Sequence, residues 1–187
     1  MPDSSKHYGG LPETTDFSKE DAGFMQKAID LSIENVANGG GPFGAVIVKD
    51  GEIIAVGANR VVPNNDPTAH AEVTAIRAAC KKLGTFKLDG CTIYSSCEPC
   101  PMCLSAIYWS GISRLCYGNT KTDAAEINFD DSFIYEQIAL EYELRTIKTK
   151  HFMRVEALEA FKKWSEKTDK IEYSPFEIIT IGIKKEC

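Results

Sequence analysis

The chain has 187 residues, 43% of them hydrophobic and 26% charged, with a net charge of −6 from 27 acidic against 21 basic side chains. That length suits one domain with a sizeable core, and the composition is that of a globular protein rather than a disordered or fibrous one. An acidic balance speaks against a nucleic-acid backbone as the main partner, although a local basic patch could survive within it. No apolar run approaches the roughly 20 residues that a membrane-spanning helix needs. The first stretch, "MPDSSKHYGGLPETTDFSKE", lacks the apolar core of a secretory signal and reads as a flexible polar leader. Seven cysteines is an odd number, so a disulfide framework is not expected and a cytoplasmic location is.

Ser18 with Asp21 forms a helix-start pattern, and apolar residues then recur at Phe24, Ala28, Leu31 and Ile33. "NGGG" at 38–41 stops that helix. "GAVIVKDGEIIAVG" is two β-rich runs around Asp50-Gly51, a hairpin, and "VVPNNDPT" reads as a loop. "AHAEVTAIRAACKKLG" predicts a helix with Val73, Ile76, Ala79 and Cys80 on its buried side and Gly84 at its end. "CTIYSS" is a short strand, "PCPMCLSAIYWSG" a helix opening with proline, and "ISRLCYG" another strand. "DDSFIYEQI" and "VEALEAFKKWSEKT" follow as helices, and the β-rich "SPFEIITIGIKKEC" is an added strand or a packed tail. The order predicts an α/β layered fold with helices on a mixed sheet.

The chemistry concentrates in "SSCEPCPMC", where Cys97, Cys100 and Cys103 stand three apart. The bacterial iron–sulfur continuation, a fourth cysteine followed by proline, is absent after Cys103, which leaves only Cys80, Cys91 or Cys116 to complete a cluster. A redox pair needs a thiolate of lowered pKa at a helix start, a place Cys100 could occupy. A two-cysteine, two-histidine finger fails, because His7, His70 and His151 are far apart in the chain. A three-ligand zinc site remains. Cys100 and Cys103 fall one turn apart on one helix face, while Cys97 reads as a buried small residue at a strand end. "HAE" at 70–72 supplies a nitrogen ligand, His70, and a carboxylate, Glu72, near an open coordination position. His-x-Glu alone is weak; coupled to Pro99-Cys100-x-x-Cys103 it is the signature of the zinc deaminases.

The chain resembles the cytidine/deoxycytidylate deaminase superfamily, and within it the bacterial-type guanine deaminases and their guanosine-deaminase relatives. The stretches that carry the resemblance are "GGPFGAVIVKDG", "NDPTAHAEVTAIRAACKKLG", "SCEPCPMCLSAIYW" and "DAAEINFDDSFIYEQI". It implies a three-layer fold with a central mixed five-stranded sheet and helices on both faces. The domain would span residues 18–173, between a leader at 1–17 and an extension at 174–187. One Zn2+ per chain would be held by His70, Cys100 and Cys103, with Glu72 as the proton carrier, and guanine and water would give xanthine and ammonia. Backbone N–H groups near Ala71 and Cys100 would help hold the substrate.

The same resemblance assigns Asn59 and Asp131 to the base. Asn59 otherwise reads as a turn residue, and Asp131 or its neighbour Asp130 as a helix cap. A carboxylate accepts from two adjacent donors, which guanine presents and adenine does not. Phe43 and Trp109 match pocket aromatics, although a lone aromatic is more often core. Tyr173 matches an aromatic that closes the site, in some members from the partner of a swapped homodimer. The sequence departs from the pattern here, since fourteen residues follow Tyr173. Guanosine, cytosine, a pterin, a triazine and tRNA adenosine are the alternative substrates, and a non-catalytic zinc scaffold is the rival of another class. A small purine, no membrane and no nucleic acid are the expected partners.

Overall fold

The computed structural model describes residues 11–174. The chain divides into two compact units, one ending at Asp131 and the other beginning at Ser132. In the first, helix α1 (Lys19–Ala37) leads into strands β1 (Gly44–Lys49) and β2 (Glu52–Ala58), a short helix α2 (Val61–Asn64) and helix α3 (Ala71–Leu83). Strand β3 (Thr92–Cys97), helix α4 (Pro101–Ser110), strand β4 (Arg114–Asn119) and helix α5 (Lys121–Glu126) complete it.

The sheet order is β2-β1-β3-β4, with β1 antiparallel to both its neighbours and β3 parallel to β4. Asp50 and Gly51, both at positive φ, close the hairpin in the turn that matches strand twist. Among the described residues the sheet has four strands, not the expected five. The β-rich segment at 174–187, read as an added strand or a packed tail, falls almost wholly outside the described residues.

Two cores sit on opposite faces of the sheet. Ala45, Ile47 and Ile93 point to α3 and α4 and pack with Ala71, Ala75, Ile76, Ala79 and Ile107. Val46, Val48 and Tyr94, one residue out of phase, point to α1 and pack with Ala28, Phe24 and Leu31. The layers lie close: a Cβ on Gly44 would stand 2.3 Å from the Ala28 carbonyl, and one on Gly57 2.2 Å from the Ala71 carbonyl. Close contact at Gly57 thereby fixes the height at which α3 begins.

Ser18 and Asp21 form the expected capping box on α1. Ile33, expected on the buried stripe, is 65% exposed, and Ser32 and Asn35 are buried instead. The stripe runs 24, 28, 31, 35, the true helical spacing, with a polar residue where hydrophobic periodicity alone does not look. The "VVPNNDPT" loop contains α2, and α5 was not expected; Thr120 and Asp123 give it a second capping box.

The second unit holds α6 (Ser132–Ala139), a 3₁₀ turn (Tyr142–Leu144) and α7 (Arg154–Glu166). None of its described residues is buried. No helix among the described residues is long and apolar enough to cross a membrane.

Candidate active site

His70 is the N-cap of α3 and Cys100 the N-cap of α4, and neither side chain caps its helix. Pro101 takes the first helical position, where its missing N–H costs nothing, so α4 starts one residue after Cys100 and places Cys103 at its third. His70 Nδ1 lies 3.6 Å from Cys100 Sγ and 3.5 Å from Cys103 Sγ. A tetrahedral zinc with ordinary Zn–S and Zn–N bonds sets sulfur and nitrogen about 3.6 Å apart. The three donor atoms lie within 4.8 Å of one another, and the donor set fits one such ion. As a bare pair the two thiols could not both ionise at this range. Cys103, hydrogen-bonded to Cys100, lowers the Cys100 thiol and is itself raised in return. A cation between them removes that conflict.

Glu72, in the first turn of α3, is 6% exposed, and burial raises its carboxyl above the usual range. Ser95 Oγ, itself buried in β3, donates to Glu72 Oε1 at 3.2 Å. Sequence reading passed over Ser95. Its signal is a polar residue in the middle of a strand that is covered on both faces. Cys97 ends β3 with its sulfur 3.6 Å from the Thr120 carbonyl, and burial pushes its thiol up to about 12. It stands apart from the metal-binding group.

The remaining predicted residues sit as follows. Ala71 is fully buried at the start of α3, and Asn59 is buried just past β2. The Asn59 amide Oδ1 accepts from the Val61 N–H at 3.3 Å, and its backbone N–H donates to the Phe43 carbonyl at 3.1 Å. Because the Val61 N–H can only donate, the oxygen of Asn59 is the atom that faces it, and Nδ2 is left to donate elsewhere. Phe43 is half-buried and meets Phe129 edge-to-face, with centroids 5.0 Å apart. Trp109 is 55% exposed on α4, so the expectation that a lone aromatic is core does not hold for it. Burial raises the Asp131 carboxyl, and the charge of Cys100 adds to the effect while Lys121 opposes it. Lys121 in turn binds Glu98 through its backbone N–H at 3.1 Å and its ammonium at 3.8 Å. Tyr173 belongs to the second unit and is exposed. Cys187 lies outside the described residues.

Fold and site together define an α/β zinc-site protein whose ligands come from the starts of two helices on one face of the sheet. The family described as the cytidine and deoxycytidylate deaminase zinc-binding region matches residues 18–119, and the chain belongs to it. The chain is 56% identical over 151 residues to the guanine deaminase of Bacillus subtilis, which covers 80% of this chain and 97% of that protein. The crystal structure of a Bacillus subtilis guanine deaminase superposes with a TM-score of 0.80 at 55% identity, covering 82% of this chain and 98% of that one. A tRNA-specific adenosine deaminase from Agrobacterium fabrum is 51% identical, but over 77 residues, 41% of this chain and 51% of its own.

Proposed function

We propose that the protein is a zinc-dependent guanine deaminase, which converts guanine and water to xanthine and ammonia. The observation that carries this reading is the triangle of His70, Cys100 and Cys103 with the buried carboxylate of Glu72 two residues beyond His70 on α3, in a chain 56% identical to a guanine deaminase along nearly that protein's whole length. Zinc held there supplies a Lewis acid that makes water nucleophilic near neutral pH. Glu72 would take one proton from the attacking water and pass it to a ring nitrogen, then take the remaining proton of the water-derived hydroxyl and deliver it to the departing amine, which leaves as ammonia. A structural zinc site has no use for such a carrier.

Asn59 offers its Nδ2 hydrogens to an acceptor on the ring, its oxygen being engaged by Val61. Asp131 accepts from the N1–H and 2-amino group of guanine, a pair that adenine lacks. N–H groups at the starts of α3 and α4, near Ala71 and Cys100, face an electron-rich substrate from the positive ends of two helices. Phe43 and Trp109 would flank the base, and Tyr173 would close over it.

We read residues 18–173 as one deaminase domain, because the Bacillus relative aligns over almost all of its own length. The second unit carries Phe133, Ile138, Phe152, Phe161 and Trp164 exposed. So much uncovered apolar surface favours a homodimer in which a second copy covers it, with exchange of the C-terminal segment as one arrangement. Six free cysteines among the described residues suit a reducing cytoplasm.

The test is ammonia release by the zinc-loaded protein from guanine, guanosine, adenine and cytosine. Turnover of guanine over the other three is the expected result. Preference for guanosine would replace the free-base reading with a nucleoside one. Release from adenine or cytosine but not guanine would overturn the role of Asp131.

A further inference from the structure

Asn35 occupies the buried stripe of α1 and is 4% exposed. Its Nδ2 donates to two carbonyls, that of Gly41 at 2.8 Å and that of Asn59 at 2.7 Å. Its backbone carbonyl accepts from the Gly40 N–H at 3.0 Å. Both amide hydrogens are therefore in use, and they join segments that are 24 residues apart in the chain. The approach demands a bare backbone at position 40. A Cβ on Gly40 would lie 2.2 Å from Asn35 Nδ2 and 2.4 Å from the Asn59 carbonyl. At Gly41 a Cβ would already press the Asn59 side chain at 3.3 Å from Oδ1.

Asn59 is thus fixed from three sides. Its carbonyl is held by Asn35, its N–H by the Phe43 carbonyl, and its Oδ1 by the Val61 N–H. The next residue, Arg60, donates its N–H to the carbonyl of Ala69 at 2.8 Å, one residue before the ligand His70. A side chain on α1, which contributes nothing to the metal group, is in this way tied to the frame of the site.

We infer that Asn35 is a positioning residue for Asn59. Its carboxamide sets the backbone from which Asn59 presents Nδ2 to the substrate, and the inference rests on the reading of Asn59 as a base-binding residue. A purely structural plug beneath the glycine loop would weaken the fold without acting through Asn59. The two roles differ in how variants combine.

Asn35→Asp keeps the shape but sets a carboxylate against two carbonyls; Asn35→Ala removes the amide and serves where Asp prevents folding. Losing a buried hydrogen-bond donor in this way raises KM for guanine about tenfold, with kcat little changed and zinc content intact. In an Asn59→Ala background the same substitution causes no further fall in kcat/KM, because its effect passes through the missing side chain. Additive losses in that cycle, or a fall in kcat at unchanged KM, overturn the inference. A readout that needs no turnover is the Asn59 side-chain NH2 signal in a nitrogen–proton correlation spectrum, assigned by its loss in Asn59→Ala. It shifts in the Asn35 variants if Asn35 positions Asn59, and an unmoved signal overturns the inference. Failure of the wild type to deaminate guanine would instead sink the proposed function, while the spectrum still decides the role of Asn35.

Discussion

The two units of the chain bury their apolar residues very differently. Up to Asp131, sheet and helices enclose two cores, with Ile47, Ile93 and Leu88 fully buried. From Ser132 onward, Phe161 and Val155 on α7 and Phe152 just before it are each more than 70% exposed. Among the described residues the first unit has a sheet with helices on both faces, which buries an apolar cluster on each, whereas the second shows helices alone, and a helix buries its apolar face only against another surface. The metal group lies wholly in the first unit, as does Glu72. The metal ligands and Glu72 thus stand on the unit in which the described apolar residues form two packed clusters.

Substitutions can break or sharpen this contrast. The largest effect is expected at the site: Glu72→Gln lowers turnover about 10²- to 10⁴-fold, the range for a lost general acid–base, with zinc retained. Ammonia release and zinc content measured on one preparation check both halves, and loss of zinc with activity would make Glu72 structural. Next, Ile93→Ala in the fully packed strand costs about 2–5 kcal/mol of stability by urea unfolding. Phe161→Ala, exposed in a single chain but covered by the second copy in the proposed homodimer, destabilises the protein by an amount that grows with protein concentration. A change under about 0.5 kcal/mol at every concentration, as surface sites show, would mean that no second copy covers the second unit.

A smaller effect follows pH. The Arg114 guanidinium at 2.6 Å, helped by the Tyr94 hydroxyl at 2.5 Å, holds the Asp21 carboxyl well below the usual carboxylate range. Folded Asp21 therefore binds its proton less readily than the unfolded chain does. Its stabilisation is complete above the unfolded value of about 4 and drains away as pH falls below it. Wild type minus Asp21→Asn stability should be largest at neutral pH and shrink toward pH 3; a difference independent of pH would mean that only the helix cap was lost. Smallest is Ser95→Ala, which removes one hydrogen bond to Glu72 and lowers kcat about two- to tenfold, with Ser95→Thr restoring it. Equal losses in Ala and Thr would point to packing instead.

Much of this protein was legible from local sequence. Capping pairs, the Asp50-Gly51 turn and the helix of "HAEVTAIRAAC" depend on neighbours along the chain, so their residues declare them. The metal group was legible for a related reason: ligand spacing within one helix turn, with a proline at the helix start, is itself a local pattern. What escaped were residues whose role comes from a distant partner. Ser95 gains meaning from Glu72, 23 residues away, and Asn35 from Asn59, 24 away. Hydrophobic periodicity skips both because they are polar, and it misplaced Ile33, which faces outward one step off the stripe.

Sequence by itself determined the α/β class, the zinc-deaminase signature and the ends of most helices, since these follow from short-range spacing and backbone preference. Only the tertiary structure decided which sheet face each core occupies, that the metal ligands stand 3.5 and 3.6 Å apart, and that buried amides and hydroxyls hold the carboxylate and the base-binding loop. Those are contacts between segments far apart in the chain, and no local preference encodes a distance that packing alone sets.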